Sequence, residues 1–351
     1  MKKILFVFPP KEKASLQYYP RVRDEINILR NKYKIIMFDS PRANNKFVKL
    51  LDFVRSLANL VGKIKNSDMV IIYMSPIWYL VIPIAKVFRK KIVCEHFTTS
   101  IYNFELSNIQ FKFVFKFFDS LIYNFFDLII THTESMKNLL SRSYRMRWQK
   151  FLVMYYFVDT DYFRRLKRNV LLAKKIGLNQ NKRVVIYHGL FHPFHGVNTI
   201  LKAAKILSSS GIIFILIGRK LEKVPDNVIS ISPIRYDDLP DYFSLGDIWV
   251  GSLGIGTQGK RAFSSSMIAA MSCNLPVIVG DWNENKKVII NGFNGYIVKR
   301  NNHIILARTI QKLLKDKDLK LLGNNARNTI ESSFSLKFMG QKLLKEIDNF
   351  I

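Results

Sequence analysis

The sequence predicts an α/β chain made of two consecutive, doubly wound parallel sheets. Three observations carry this reading. Short runs that are apolar at nearly every position alternate with stretches of helical spacing, as expected for strands covered by helices on both faces. The alternation fills the first half of the chain and begins again at Arg183. The chain's 351 residues, at roughly 100–200 per domain, suffice for two domains with a core each.

In chain order, Lys3–Val7 is an apolar strand that stops at Pro9-Pro10. Arg21–Lys32 has helical spacing, with Val22, Ile26 and Leu29 on one face. Tyr33–Asp39, Asp68–Met74 and Lys91–Cys94 are strand-like, the last two separated by a helical stretch. Phe126–Thr131 and Lys150–Tyr155 continue the series. Val158–Asp161 and the basic run Arg164–Arg168 form a connection. The second series has a strand at Arg183–His188, a helix at Val197–Leu207 and a strand at Ile212–Ile217 ending at Gly218. Strands at Val228–Ile231, Asp247–Val250 and Pro276–Val279 follow. Leu336–Phe350 is amphipathic, with Phe338, Leu343, Leu344 and Ile347 apolar. The expected domains are 1–165 and 166–333, followed by a terminal helix over 334–351.

Hydrophobic residues at 48% and aromatics at 13% exclude a mostly disordered chain. The net charge of +29, leaning to the first half, calls for an anionic partner. Cys94 and Cys273 sit in apolar contexts, which excludes a disulfide framework and fits a reducing compartment. The apolar run Ile4–Phe8 is too short for a secretory leader. The uncharged run Met69–Ala85 contains Pro76 and Pro83 and falls short of a spanning helix, so it reads as strand, loop and helix. Metal-ligand spacings, a P-loop and nucleic-acid motifs are absent from the sequence, so neither a metal nor nucleic acid is expected.

Ligands of doubly wound sheets collect beyond the carboxyl ends of the strands, and a two-lobed chain offers a cleft between lobes. Four segments there merit a functional reading. In Tyr187–Val197, Gly189 and Gly196 allow close backbone approach to a ligand, and the helix that follows presents N–H groups suited to phosphate. His195, if protonated, adds charge there; an ordinary strand–helix loop is the bland alternative. The second segment brings Lys260 and Arg261 just before Ser264, Ser265 and Ser266, which open a helix and either cap it or donate to an anion. The third is Cys94–Phe97, where His96 at a strand end is a candidate acid/base or substrate-binding group, although a lone histidine is usually structural. The fourth is the phenylalanine-rich stretch Asn108–Phe126 with Lys112 and Lys116, either buried or lying on a membrane.

Several stretches of the second half resemble family 4 glycosyltransferases, retaining enzymes of the two-Rossmann-domain GT-B type. They are Gly189–Gly196, Ile234–Pro240, Gly246–Val250, Ala270–Ile278 and Asn291–Gly295. Val158-Asp159-Thr160 resembles the family's end-of-lobe signature, and Glu95-His96 its histidine position. The resemblance is good over about residues 180–300 and thin over 1–150. It implies two Rossmann-like domains facing across a cleft, an acceptor side in the first, a nucleotide-sugar side in the second, and a last helix crossing back to the first.

The resemblance also implies glycosyl transfer with retention, without metal or cofactor, from a nucleotide-sugar to a glycan or lipid-linked acceptor in surface polysaccharide or glycoconjugate synthesis. It makes His96 the catalytic candidate and places Gly189, His195, Gly196 and Ile234 on the donor side; Arg219, Lys260, Arg261 and Ser264, Ser265 and Ser266 join the donor-binding set by their own charge and hydrogen-bond donors. The chain departs from the family at Leu190 and His195, where Arg and Lys are usual, and at Arg261 and Ala269, where a pair of Glu is usual. Donor recognition is either rebuilt around Lys260, Arg261 and the serines, or catalysis is lost and the chain is a binding or scaffold protein. The expected location is cytoplasmic, peripherally on the inner face of the cell membrane, with an anionic membrane surface as partner.

Overall fold

The computed structural model describes residues 1–8, 20–39, 46–73, 81–96, 120–144, 151–179 and 181–351. Among the described residues, twelve strands lie in two all-parallel, six-stranded sheets. The first sheet contains β1 (Lys3–Phe8), β2 (Lys34–Asp39), β3 (Met69–Tyr73), β4 (Lys91–His96), β5 (Leu128–Thr131) and β6 (Phe151–Val153) in the order β2-β1-β3-β4-β5-β6. The second contains β7 (Arg183–His188), β8 (Ile212–Ile217), β9 (Val228–Ile231), β10 (Ile248–Gly251), β11 (Val277–Gly280) and β12 (Gly295–Val298) in the order β12-β11-β10-β7-β8-β9. Both are doubly wound orders that reverse direction beside their first strand.

The strands are apolar throughout because both faces are covered. Ile4 to Phe8 are buried at every position, as are Met69 to Tyr73 and Val277 to Gly280. Parallel strands of this kind lose the apolar–polar alternation of a half-exposed sheet.

The chain divides into one unit of Met1–Tyr155 with Gly340–Ile351, and a second of Tyr156–Met339. The division falls before the connection that the sequence places at 165, for a reason visible in the hydrogen bonds. Val158 exchanges backbone hydrogen bonds with the 334–336 segment, at 3.1 Å to the Phe334 carbonyl and 2.8 Å from the Leu336 N–H. The Phe163 carbonyl accepts from Ser272 Oγ at 2.6 Å and Arg327 Nη1 at 3.2 Å. Residues 156–165 thus satisfy their buried backbone groups within the second unit.

In the helix Leu336–Phe350 the inward stripe is Met339, Leu343 and Ile347, four residues apart. Phe338, read from sequence as part of that stripe, is instead 47% exposed. Within the first unit, Asp348 accepts from Lys32 Nζ at 2.5 Å and from the Tyr33 hydroxyl.

Most of Asn108–Phe126, including Lys112 and Lys116, lies outside the described residues. In its described tail Phe125 is exposed, while Phe126 is fully buried beside Tyr123, whose ring stacks on Tyr144 at 4.5 Å. No described helix is long and apolar enough to cross a membrane.

Candidate functional site

In the second sheet the strand order reverses between β7 and β10. The crevice beyond their carboxyl ends is where a doubly wound sheet binds ligands. The loops that follow these strands are therefore the candidate site, and each can be built up from its residues.

β7 ends at His188, and the Gly189 N–H donates to the carbonyl of Ile217 at the end of β8. A Cβ on Gly218 would lie 2.1 Å from the Gly189 carbonyl oxygen, so the segment leading to Arg219 is tied to the glycine loop. Pro193–His195 form a single 3-10 turn, and Gly196 turns the chain with φ of +77° into the helix Val197–Ile206. Among the described residues no side chain caps that helix; the Thr199 N–H donates to the Gly196 carbonyl at 2.9 Å, and the N–H groups of Val197 and Asn198 are the ones suited to an external anion.

The loop after β10 is bonded to this turn. Leu253 N–H donates to the His195 carbonyl and Gly254 N–H to that of Phe194, both at 3.1 Å. The backbones touch without intervening side chains: a Cβ on Gly254 would lie 1.8 Å from the Pro193 carbonyl oxygen, and one on Gly196 2.4 Å from Gly254 N. Further on, Thr257–Lys260 make a 3-10 turn in which Gly259 rests on the Trp282 ring. Trp282 is itself sandwiched by the Arg300 guanidinium, 3.6 Å from its ring centroid. This packing sets Lys260 and Arg261 immediately before the helix Ser265–Ser272.

The three serines separate in role. Ser264 caps the helix, accepting from Met267 N–H at 3.2 Å. Ser265 is exposed, and Ser266 is buried with its hydroxyl 3.0 Å from His188 Nδ1. His188 was not among the residues chosen from sequence. As the last residue of a strand, just before the first loop glycine, it looked like part of the sheet; only that position signalled a site residue. Arg219 is exposed beyond β8 and Ile234 half-buried beyond β9, on the far side of the sheet from β10. Leu190 is exposed, whereas Ala269 is fully buried, so its position opens onto no solvent-filled pocket.

One expectation needs correction. Burial pushes the His195 imidazole down to about 4, helped by the neighbouring His192 and His188, and burial pushes His188 to about 4 as well. At neutral pH His195 is therefore uncharged and offers a hydrogen bond rather than a positive charge. Charge at these loops comes from Lys260, Arg261 and Arg219. The same shifts have a consequence for stability. The unfolded chain takes up protons near the ordinary 6.5, before the folded one does, so stability is held above that pH and lost as pH falls toward 4. Across a melting-temperature series from pH 7 to pH 4, His188→Gln is expected to lose less stability than the wild type; parallel changes in the two would contradict it.

In the first unit, His96 ends β4, in register with Thr131 of β5, and its side chain lies outside the described residues. Glu95, just before it, belongs to a buried ionic cluster at the carboxyl ends of β3 to β6 that sequence reading also missed. Arg21 is its hub. Its guanidinium donates to Glu25 at 2.7 Å, Glu95 at 3.3 Å, the Met154 carbonyl at 2.8 Å, and His132 Nδ1. Burial raises the Glu95 carboxyl well above the usual carboxylate range and Glu25 adds to this, while Arg21 opposes it. Among the described residues, no three His, Cys, Asp or Glu side chains are grouped to hold a metal ion.

Two parallel sheets of this kind, with a glycine-rich switch point in the second, define the two-Rossmann-domain GT-B fold. The solved structure of Anabaena HepE in complex with UDP and glucose shares it, with a TM-score of 0.75 at 15% identity over 99% of this chain and 100% of that one. Residues 171–329 match the model of the family described as glycosyl transferases group 1. An uncharacterized glycosyltransferase of Methanocaldococcus jannaschii is 24% identical over 66% of this chain and 61% of its own length. The capsular polysaccharide biosynthesis glycosyltransferase CapM of Staphylococcus aureus is 23% identical over 64% of this chain and 62% of its own. The chain thus spans about three-fifths of the length of the curated relatives it matches.

Proposed function

We propose that this protein moves a sugar from a nucleotide-sugar donor to a glycan or lipid-linked acceptor, in the synthesis of a surface polysaccharide or glycoconjugate. The carrying observation is that both switch-point loops of the second sheet lie inside the family-matched segment and bond to each other. They bring the turn Pro193–His195 against the turn Thr257–Lys260 that precedes Arg261. The bound UDP and glucose of HepE and the capsular role of CapM support the same donor class and pathway class.

In this reading the bond between the glycosyl carbon and the diphosphate oxygen breaks, the diphosphate leaving with the electron pair, while the acceptor hydroxyl oxygen bonds to that carbon and gives its proton to the leaving diphosphate. Its growing charge is met by the N–H groups at Val197 and Ser265 and by Lys260, Arg261 and Arg219, which are fixed before the reaction begins. The neutral His195 donates one hydrogen bond, and Gly189 and Gly196 keep the backbone close to the phosphates. Ser265 and Ser266 add donors, and Ile234 packs against the donor. Transfer proceeds with retention, needs no metal and no cofactor beyond the nucleotide-sugar co-substrate, and uses His96 as its catalytic residue. The protein works at the cytoplasmic face of the cell membrane, with the net charge of +29 suited to an anionic lipid surface.

A thermal-shift screen against nucleotide-sugars tests the donor: one member is expected to raise the melting temperature, because a ligand of the native state alone must stabilise it. A panel without any such shift would overturn the reading. Arg261→Ala is expected to weaken that ligand by roughly 1.5–3 kcal/mol, the scale of a charged hydrogen bond. His96→Ala is expected to lower turnover and spare donor binding; equal loss of both would make His96 structural.

A further inference from the structure

A cavity in the second unit lies far from the loops just discussed. It occupies about 870 Å³ and is lined by Arg183 at the start of β7, Asp247 just before β10 and Pro276 just before β11. It therefore opens at the amino-terminal edge of the sheet, opposite the edge that carries the switch-point loops. Its size is that of a small-molecule site.

Its walls are strongly basic. One carries Arg165, Lys167 and Arg168 from the segment before β7; the other carries Lys315 and Lys317 from the turn after the helix His303–Leu314, and Lys320 from the first turn of the helix Leu319–Ser333. The two acids present are already engaged. Asp247 accepts from Arg183 at 2.8 Å and from the Val184 N–H at 2.7 Å, and Asp316 accepts from the Asp318 N–H at 2.9 Å. Among the described residues, Arg165, Lys167, Lys315, Lys317 and Lys320 form no ion pair. Arg168 Nε is buried without a hydrogen-bond partner, while its Nη2 donates to the Lys182 carbonyl at 3.3 Å.

Lys315, at the carboxyl end of a helix, is explained by the helix dipole. The others are not. Like charges gathered around one cavity repel one another and weaken the fold. Neutralising this many unpaired cations with carboxylates would need several ligands. Phosphate groups bring about 1.5–2 negative charges each and suit the guanidinium fork.

We propose that this cavity is a second anion site, which binds a ligand carrying several phosphate groups. The inference is independent of the glycosyl-transfer reading. Two sources share that chemistry: a free polyphosphate-bearing molecule and the phosphate headgroups of a lipid surface.

Calorimetric titration of the full chain with sodium tripolyphosphate tests the first source. Two variants probe opposite walls, Arg165→Gln/Lys167→Gln and Lys317→Gln/Lys320→Gln; all four positions are exposed, so folding is expected to persist and is checked by the melting temperature. Each is expected to weaken binding at least about tenfold, the loss of one charged hydrogen bond or more. The variant Lys260→Gln/Arg261→Gln separates this site from the switch-point loops: binding that survives there and fails in the wall variants belongs to the cavity. Co-sedimentation with phosphatidylcholine vesicles containing about one-third phosphatidylglycerol tests the second source. Wall-dependent vesicle binding without tripolyphosphate binding assigns the phosphates to lipid. Binding of both probes that is unchanged by the wall variants, or binding of neither probe, overturns the proposal.

Discussion

Alanine at position 254 is expected to destabilise the second unit by about 3 kcal/mol and to abolish nucleotide-sugar binding, the larger end of what overpacking costs. The added methyl would lie 1.8 Å from the Pro193 carbonyl oxygen and 2.7 Å from Gly196 N. These are backbone atoms of a turn that is hydrogen-bonded on both sides, so no rotamer change relieves the clash. The two loops would have to part, and with them the turns Pro193–His195 and Thr257–Lys260. A matched control is Gly62, in the helix Lys46–Lys65, where an added Cβ meets nothing within 4 Å. Gly62→Ala is expected to stabilise by about 0.5–1 kcal/mol through helix propensity. Chemical denaturation of both variants, with a nucleotide-sugar thermal shift on each, checks the pair. Equal stability of the two would show that the loop backbones do not meet as described.

Arg21→Ala is expected to cost more, about 3–5 kcal/mol, the usual loss when one side of a buried ion pair is removed. The guanidinium is 4% exposed and donates to Glu25, Glu95 and the Met154 carbonyl at once, so its removal leaves these buried groups without their hydrogen-bond donor. Glu95→Gln is expected to be far milder. Glu95 has a folded-state pKa raised above its unfolded value, which means that the native state favours its neutral form. The stability that this protonation contributes is full below the unfolded value and is lost as pH rises through the folded one. Glu95→Gln keeps the neutral shape at every pH, and its denaturation midpoint is expected to vary less on the alkaline side than that of the wild type. A destabilisation by Glu95→Gln as large as that of Arg21→Ala would show that the carboxylate is charged in the native state.

The solid apolar runs were readable because a parallel strand covered on both faces needs an apolar residue at nearly every position. Lys3–Val7, Ile212–Ile217 and Val228–Ile231 were located in this way. β12 at Gly295–Val298 was not, since Tyr296 and Ile297 are only half-buried on an edge strand and the run is short. The motif stretch around Gly189–Gly196 was readable for a related reason: only glycine tolerates backbone contact as close as that between Gly196 and Gly254, so the requirement shows in residue type.

Strand order was not readable. Equally apolar strands fit beside any neighbour, and the reversal between β7 and β10 depends on contacts between distant residues. The hydrogen bond between His188 and Ser266 joins residues 78 positions apart and leaves no local pattern. The Arg21 cluster likewise gathers Arg21 and Glu25 from one helix, and Glu95, His132 and the Met154 carbonyl from three strand ends. Ionisation was decided last. Histidine at 195 reads as a titrating residue near neutral pH, whereas its environment drives it to about 4, because removing water from an imidazole penalises the charged form. Residue type records what a position can do, and burial, set by segments far away in the chain, selects which of those properties it keeps.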